Sequence, residues 1–194
     1  MSERLRVDEK DERFELVEKL GEQFVGSLED YDDVHIYKFQ DFDPQWLKVL
    51  LKFGEKVFGE DAYDAFGIVS QIYYGNVFIL QEQTDDTILG IACFNRAWDD
   101  RKLAYLSDYA ISEDARGNDF GTRFLGLVLE NLKDQGIARV RLTVDVENVT
   151  AINLYKKLGF AIMEEFENFY GEGMHRYIMQ KRLVSKDIED MYGE

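Results

Sequence analysis

The sequence predicts an α/β protein built on a mixed sheet, and three observations carry that expectation. Between residues 76 and 112 three β-rich runs, NVFILQEQ, TDDTILGIACFNRAW and KLAYLSDYAIS, follow one another across acidic turns, as in an antiparallel meander. From residue 104 to 160 the pattern changes to strand, glycine-containing turn, helix, strand and helix. The chain's 194 residues are 45% hydrophobic and 14% aromatic, enough for one domain with a full core.

The elements follow in order. Residues 3–28 carry Phe14, Val17, Leu20, Phe24 and Leu28 at three-and-four spacing, which predicts an amphipathic helix lying on the domain or on a partner subunit. After the acidic link EDYDD, the alternation in VHIYKFQDF predicts a first strand. Asp43 as N-cap and Pro44 at the first helical position open a helix that Gly54 or Gly59 can break. EDAYDAFGIVSQIYYG predicts a second helix ending at Gly75. Beyond the meander come a helix over 119–135, a strand over 138–146 and a helix over 150–158. AIMEEFENFY and HRYIMQKRL form a strand pair around GEG, and VSKDIEDMYGE is a frayed tail. The expected organisation is an acidic N-terminal helical extension over 1–34, one domain over 35–183 and a flexible acidic tail over 184–194.

A formal net charge of −16 argues against nucleic acid or anionic membrane as partners, because both are bound through basic patches. Acidity of this size could attract a cationic amine, or serve only solubility. The lone cysteine, Cys93, lies in the apolar run ILGIACF and excludes an intramolecular disulfide; neither a metal cluster nor any other metal site is expected. No apolar stretch is long enough to span a bilayer, and MSERLRVDEKDER is no signal peptide, so a cytoplasmic location is expected.

The segment ARGNDFGTRF carries the first chemical signal. Glycines at 117 and 121 let a loop take positive φ and bring backbone N–H groups close to an anion, and the helix that follows adds its positive dipole end. About thirty residues on comes NVTAINLYKKLGF. RGNDFG resembles the R/Q-x-x-G-x-G/A pyrophosphate loop of the GNAT acetyltransferase superfamily. NVTAINLYKKLGF resembles its second signature, N-x-x-A-x-x-L-Y-x-x-x-G-F. The resemblance spans roughly residues 35–183 and implies a mostly antiparallel sheet with a splayed motif strand, acetyl-CoA as cofactor, and transfer to a primary amine by direct attack. Asp119 stands where the family has its middle glycine, and sets a carboxylate beside the expected pyrophosphate.

By that resemblance, Gly117, Asn118, Asp119, Phe120, Gly121 and Thr122 cradle the pyrophosphate through their amides, and the backbone of Tyr109, Ala110 and Ile111 pairs with the pantetheine arm. Asn148 becomes a cofactor contact, although a helix cap before Thr150 is an equal alternative for its side chain. Tyr155 becomes the general acid, since a phenol is protonated at pH 7 and can donate to the thiolate as it forms. The base stays unassigned among Asp108, Asp145, Glu147 and a bound water. Ribosomal-protein alanine acetyltransferases have a glutamate where this chain has Thr143. NFYGEGMHRYIMQKRL resembles the NYY-containing ending of protein N-terminal acetyltransferases, with Phe169 and Tyr170 in place of the tyrosine pair. Tyr170 and Asp108 are therefore the expected acceptor contacts. His175 is an alternative base, whereas His35, Trp46 and Trp98 are expected to serve folding. The acceptor is a peptide α-amine or a small cationic amine. A non-catalytic CoA-binding module is the other reading, and the expected assembly is a monomer or homodimer.

Overall fold

The computed structural model describes residues 22–39, 44–59, 62–85 and 87–184. The first described elements are two strands, β1 (Glu22–Leu28) and β2 (Tyr31–Phe39), which pair antiparallel across a turn in which Asp30 is left-handed at φ 68°. The helix expected over 3–28 is therefore corrected over its last seven residues, which form β1; the rest of it lies outside the described residues. Phe24 and Leu28 are four apart, a spacing that a strand face and a helix face share, and Gly26 between them disfavours helix. The boundary expected at 34/35 falls inside β2.

Next come α1 (Pro44–Phe58), α2 (Ala65–Tyr74), β3 (Asn76–Glu82), β4 (Ile88–Arg96) and β5 (Leu103–Ile111). They are followed by α3 (Phe120–Asp134), β6 (Arg139–Asp145), α4 (Val149–Lys157), β7 (Ala161–Phe166) and β8 (Arg176–Arg182). The helix and strand assignments from Pro44 onward match within a few residues, although α2 starts at Ala65, where the Asp64 side chain accepts from Gly67 N at 2.8 Å. The N-cap Asp43 and the tail beyond residue 184 lie outside the described residues. Gly59 ends α1 in a left-handed conformation, whereas Gly54 sits within the helix.

Among the described residues, eight strands run in the order β1-β2-β3-β4-β5-β6-β8-β7. The ladder between β5 and β6 is parallel; those of β1 with β2, β2 with β3, β3 with β4, β6 with β8, and β7 with β8 are antiparallel. The parallel ladder runs from Leu103↔Arg139 to Leu106↔Leu142 and stops there, although both strands continue.

The described residues divide into two compact units, those up to 94 together with 108–124, and 95–107 together with those from 125 onward. In the first, α1 packs Trp46, Val49, Leu50 and Phe53 against Tyr37, Phe39, Val77, Ile79 and Cys93, all buried. Each fully buried large side chain contributes about 2–3 kcal/mol. In the second, Leu125, Val128, Leu129 and Leu132 form the buried face of α3, and Val140, Leu142 and Val144 the buried face of β6. Trp98, expected to serve folding, is 97% exposed in the β4–β5 turn and buries nothing there.

Candidate active site

The turn that opens α3 begins at Ser112, whose N–H donates to Leu89 O at 2.8 Å, and continues through a 3-10 turn at Glu113–Ala115. Gly117 has φ 88° and Asp119 φ 58°, so two left-handed residues redirect the chain into α3. Gly117 thus takes the expected positive φ. For Gly121 that reason is corrected, because Gly121 lies in the first turn of α3 and the second left-handed position is Asp119. Aspartate tolerates this region better than most residues, through short polar contacts with its own backbone. The first amides of α3 have no intrahelical acceptors, and Arg123 N to Asp119 O at 3.1 Å closes the turn behind them.

Tyr109 fixes this turn to the strand. Its hydroxyl donates to Gly121 O at 2.5 Å, and its ring stacks on Phe124 with centroids 6.0 Å apart. The Phe120 side chain is buried edge-on against Tyr31 at 4.7 Å, so only its backbone faces a ligand; Ala110 is buried in the core cluster and is restricted likewise. Asn118 is exposed and Thr122 half-buried. Residues 109–111 and 117–122 all belong to the first unit.

Asp108 lies one residue before Tyr109, in a largely apolar cavity walled by Leu50, Phe58, Ile68, Ile91 and Cys93. Burial raises its carboxyl from 3.8 to about 6, and a hydrogen bond from the Tyr63 hydroxyl partly offsets the rise. Tyr63 Oη in turn accepts from Gln71 Nε2 at 3.1 Å, which orients the phenol. Burial, and then the Asp108 charge, push the Cys93 thiol well above its ordinary range, so it is a poor nucleophile.

The other candidates belong to the second unit. Tyr155 is buried in α4 beside Phe160, with ring centroids 5.7 Å apart. Asn148 Oδ1 accepts from Ala151 N at 3.0 Å, so the cap alternative is observed for its carbonyl oxygen. Tyr170 is 55% exposed on the segment between β7 and β8. Its hydroxyl lies 3.1 Å from Thr143 Oγ1, which lies 2.8 Å from the Tyr105 hydroxyl. Arg176 sits over the Tyr170 ring at 5.4 Å and pairs with Asp145 at 2.6 Å. Asp145 is thus occupied by an arginine. His175 Nδ1 accepts from Asn168 N at 3.3 Å and supports the turn.

Sequence reasoning missed Tyr105. The signal was the period-two run Tyr105, Ser107, Tyr109 along β5, with Thr143 on the neighbouring strand. Among the described residues, no three His, Cys, Asp or Glu side chains are grouped to hold a metal ion, and no helix is long and apolar enough to cross a membrane.

A mixed sheet with one parallel ladder that ends early, followed by a left-handed turn at a helix N-terminus, defines an acetyltransferase-type fold. A model described as the acetyltransferase (GNAT) family matches residues 34–160, and the chain belongs to that family. An N-alpha-acetyltransferase of Sulfurisphaera tokodaii is 34% identical over 83 residues, 42% of this chain and 50% of that protein. The chain thus matches only about half the length of this curated relative. The ribosomal-protein-S18-alanine N-acetyltransferase of Escherichia coli shares the fold with TM-score 0.65 and 19% identity, over 78% of this chain and 95% of that one. Arabidopsis thaliana Naa50, solved with the bisubstrate analogue CoA-Ac-MVNAL, shares it with TM-score 0.64 and 21% identity, over 77% of this chain and 98% of that one.

Proposed function

We propose that this chain is an acetyl-CoA-dependent N-acetyltransferase acting on a primary amine, with a protein or peptide α-amine as acceptor. The observation that carries it is the turn at 117–122, where two left-handed residues and the first amides of α3 converge at a helix N-terminus. That donor set fits a pyrophosphate; the Asp119 carboxylate opposes it and must point away or be screened. Acetyl-CoA, when bound, supplies a thioester whose acetyl carbon the neutral amine attacks.

We assign each role to a residue described above. The amides of Asn118 to Thr122 hold phosphate oxygens, and the backbone of Tyr109 to Ile111 offers ladder groups to an extended arm. Asn148, with its carbonyl oxygen committed to the cap, retains its NH2 group for the cofactor. Tyr155 donates its hydroxyl proton to the departing sulfur as the new C–N bond forms and the C–S bond breaks. Asp108 attracts the acceptor ammonium in its ionised form. The hydroxyls of Tyr105, Thr143 and Tyr170 form a chain able to carry the amine's proton to solvent, and Tyr170 lines the acceptor path. The high Cys93 pKa favours direct attack over an acyl-enzyme.

A small cationic amine is the alternative acceptor, which an ionised Asp108 carboxylate would attract. Release of free thiol from acetyl-CoA, measured with peptide N-termini and with polyamines in parallel, separates the two. Tyr155→Phe is expected to lower kcat by about a hundredfold with acetyl-CoA affinity retained. Unchanged turnover would remove Tyr155 from its role.

A further inference from the structure

We infer that Gln71 and Tyr63 are positioning residues of the acceptor site: the Gln71 carboxamide aims the Tyr63 phenol at Asp108 and so keeps that carboxylate ionised and available to a cationic acceptor. The inference rests on the acceptor role proposed for Asp108. All three residues belong to the first unit.

A phenol carries a single proton and can also accept a hydrogen bond. Gln71 Nε2 donates to Tyr63 Oη at 3.1 Å, so the phenol's own proton is left for Asp108, to which Tyr63 is hydrogen-bonded. With the amide turned over, Gln71 Oε1 would take that proton and Asp108 would lose its donor. Two glycines make room for the pair. Gly67, Gln71 and Gly75 follow at four-residue spacing along α2 and its C-cap. A Cβ at Gly67 would lie 2.8 Å from Tyr63 Cδ1, and one at Gly75 2.8 Å from Gln71 Oε1. The first glycine thus admits the phenol ring and the second the carboxamide. Gln71 is 6% exposed, and its buried Oε1 has no hydrogen-bond partner among the described residues. That arrangement costs stability that an apolar side chain at 71 would not, so what the glutamine provides is the oriented donor.

The cavity around Asp108 holds little else that could set its charge. α1 and α2 line it with apolar side chains and Gly54, and β4 adds Ile91 and Cys93. Besides Asp108, the titratable side chains of that lining are Tyr63 and Cys93. The Cys93 thiol is pushed well above its ordinary range, so it stays neutral while Asp108 titrates. Burial raises the Asp108 carboxyl to about 6, and the bond from Tyr63 opposes the rise. Without the phenol proton the midpoint climbs towards neutrality, and a larger share of Asp108 is uncharged where the acceptor must be held.

The test follows the Asp108 carboxyl carbon by NMR through a pH titration of the full chain, with Asp108→Asn to assign the resonance. It is paired with kcat/KM over the same pH range, using an alanine-starting peptide and spermidine as acceptors. The variants are Tyr63→Phe, Gln71→Met and Val49→Ala, the last in the buried core but outside the lining of this cavity. Circular dichroism checks that each is folded. The expected result is a midpoint raised by about one pH unit in Tyr63→Phe and about half a unit in Gln71→Met, and held within about 0.2 unit in Val49→Ala. The acid limb of kcat/KM should move with the midpoint, and both variants should approach the unaltered chain above about pH 8. A midpoint that stays put in either variant, or that moves as far in Val49→Ala, overturns the positioning role. So does a loss of kcat/KM that is uniform across pH, which a merely structural role would give. A midpoint that moves without a matching shift in kcat/KM, or with neither acceptor turned over by the unaltered chain, overturns instead the acceptor reading of Asp108 on which the inference rests.

Discussion

Asp119 combines two properties that pull in opposite directions. Its φ of 58° is a conformation that glycine adopts without penalty, and it adds a carboxylate to the turn proposed to hold a dianion. Asp119→Gly is expected to tighten acetyl-CoA about tenfold, near 1.4 kcal/mol, by calorimetry; an unchanged or weaker affinity would mean the carboxylate already points away. Asp108 gives a pH signature. Its carboxyl ionises near 3.8 when unfolded and near 6 when folded, so its favourable protonated state is fully present below pH 3.8 and lost as pH rises through 6. Stability should fall by about 2–3 kcal/mol across that window, and Asp108→Asn should flatten the slope in urea denaturation at several pH values. Turnover should rise through pH 6 as Asp108 ionises, a limb the Asn variant would lack. The position of Asp108 on the motif strand was legible from the sequence. Its apolar surroundings were not, because they come from α1, α2 and β4, remote in the chain.

At the level of elements, the junction between α2 and β3 is tightly constrained. A Cβ at Gly75 would lie 2.6 Å from Gln71 O and 2.7 Å from Phe94 O, both backbone atoms that cannot swing aside. Gly75→Ala is expected to cost about 2 kcal/mol or more in a denaturant midpoint, and a near-neutral effect would show that the junction relaxes. The sequence marked Gly75 only as the end of a helix; the crowding arises from β4, which no local pattern reveals. Elements with sustained alternation or helical spacing, from α1 to β8, were legible. β1 was not, because Phe24 and Leu28 satisfy both periods and pairing with β2 decides between them. The hydroxyl chain of Tyr105, Thr143 and Tyr170 escaped notice for a similar reason: it joins β5, β6 and the β7–β8 segment.

For the molecule as a whole, the charge of −16 bears directly on its cofactor. An acidic protein that binds an anion does so against its own field, so acetyl-CoA affinity should improve as salt rises from about 0.02 M to about 0.2 M, the reverse of a basic site. Two signatures in one chain, RGNDFG and NVTAINLYKKLGF, made the family legible, whereas the acceptor is not encoded in any comparably short pattern. The central claim is that the turn at 117–122 holds acetyl-CoA despite Asp119. Calorimetric titration of the folded full chain with acetyl-CoA tests it most directly. The account predicts saturable one-to-one binding at about micromolar strength, near −8 kcal/mol. No detectable heat with a chain shown to be folded would contradict it, and would leave a family member whose phosphate turn no longer binds its cofactor.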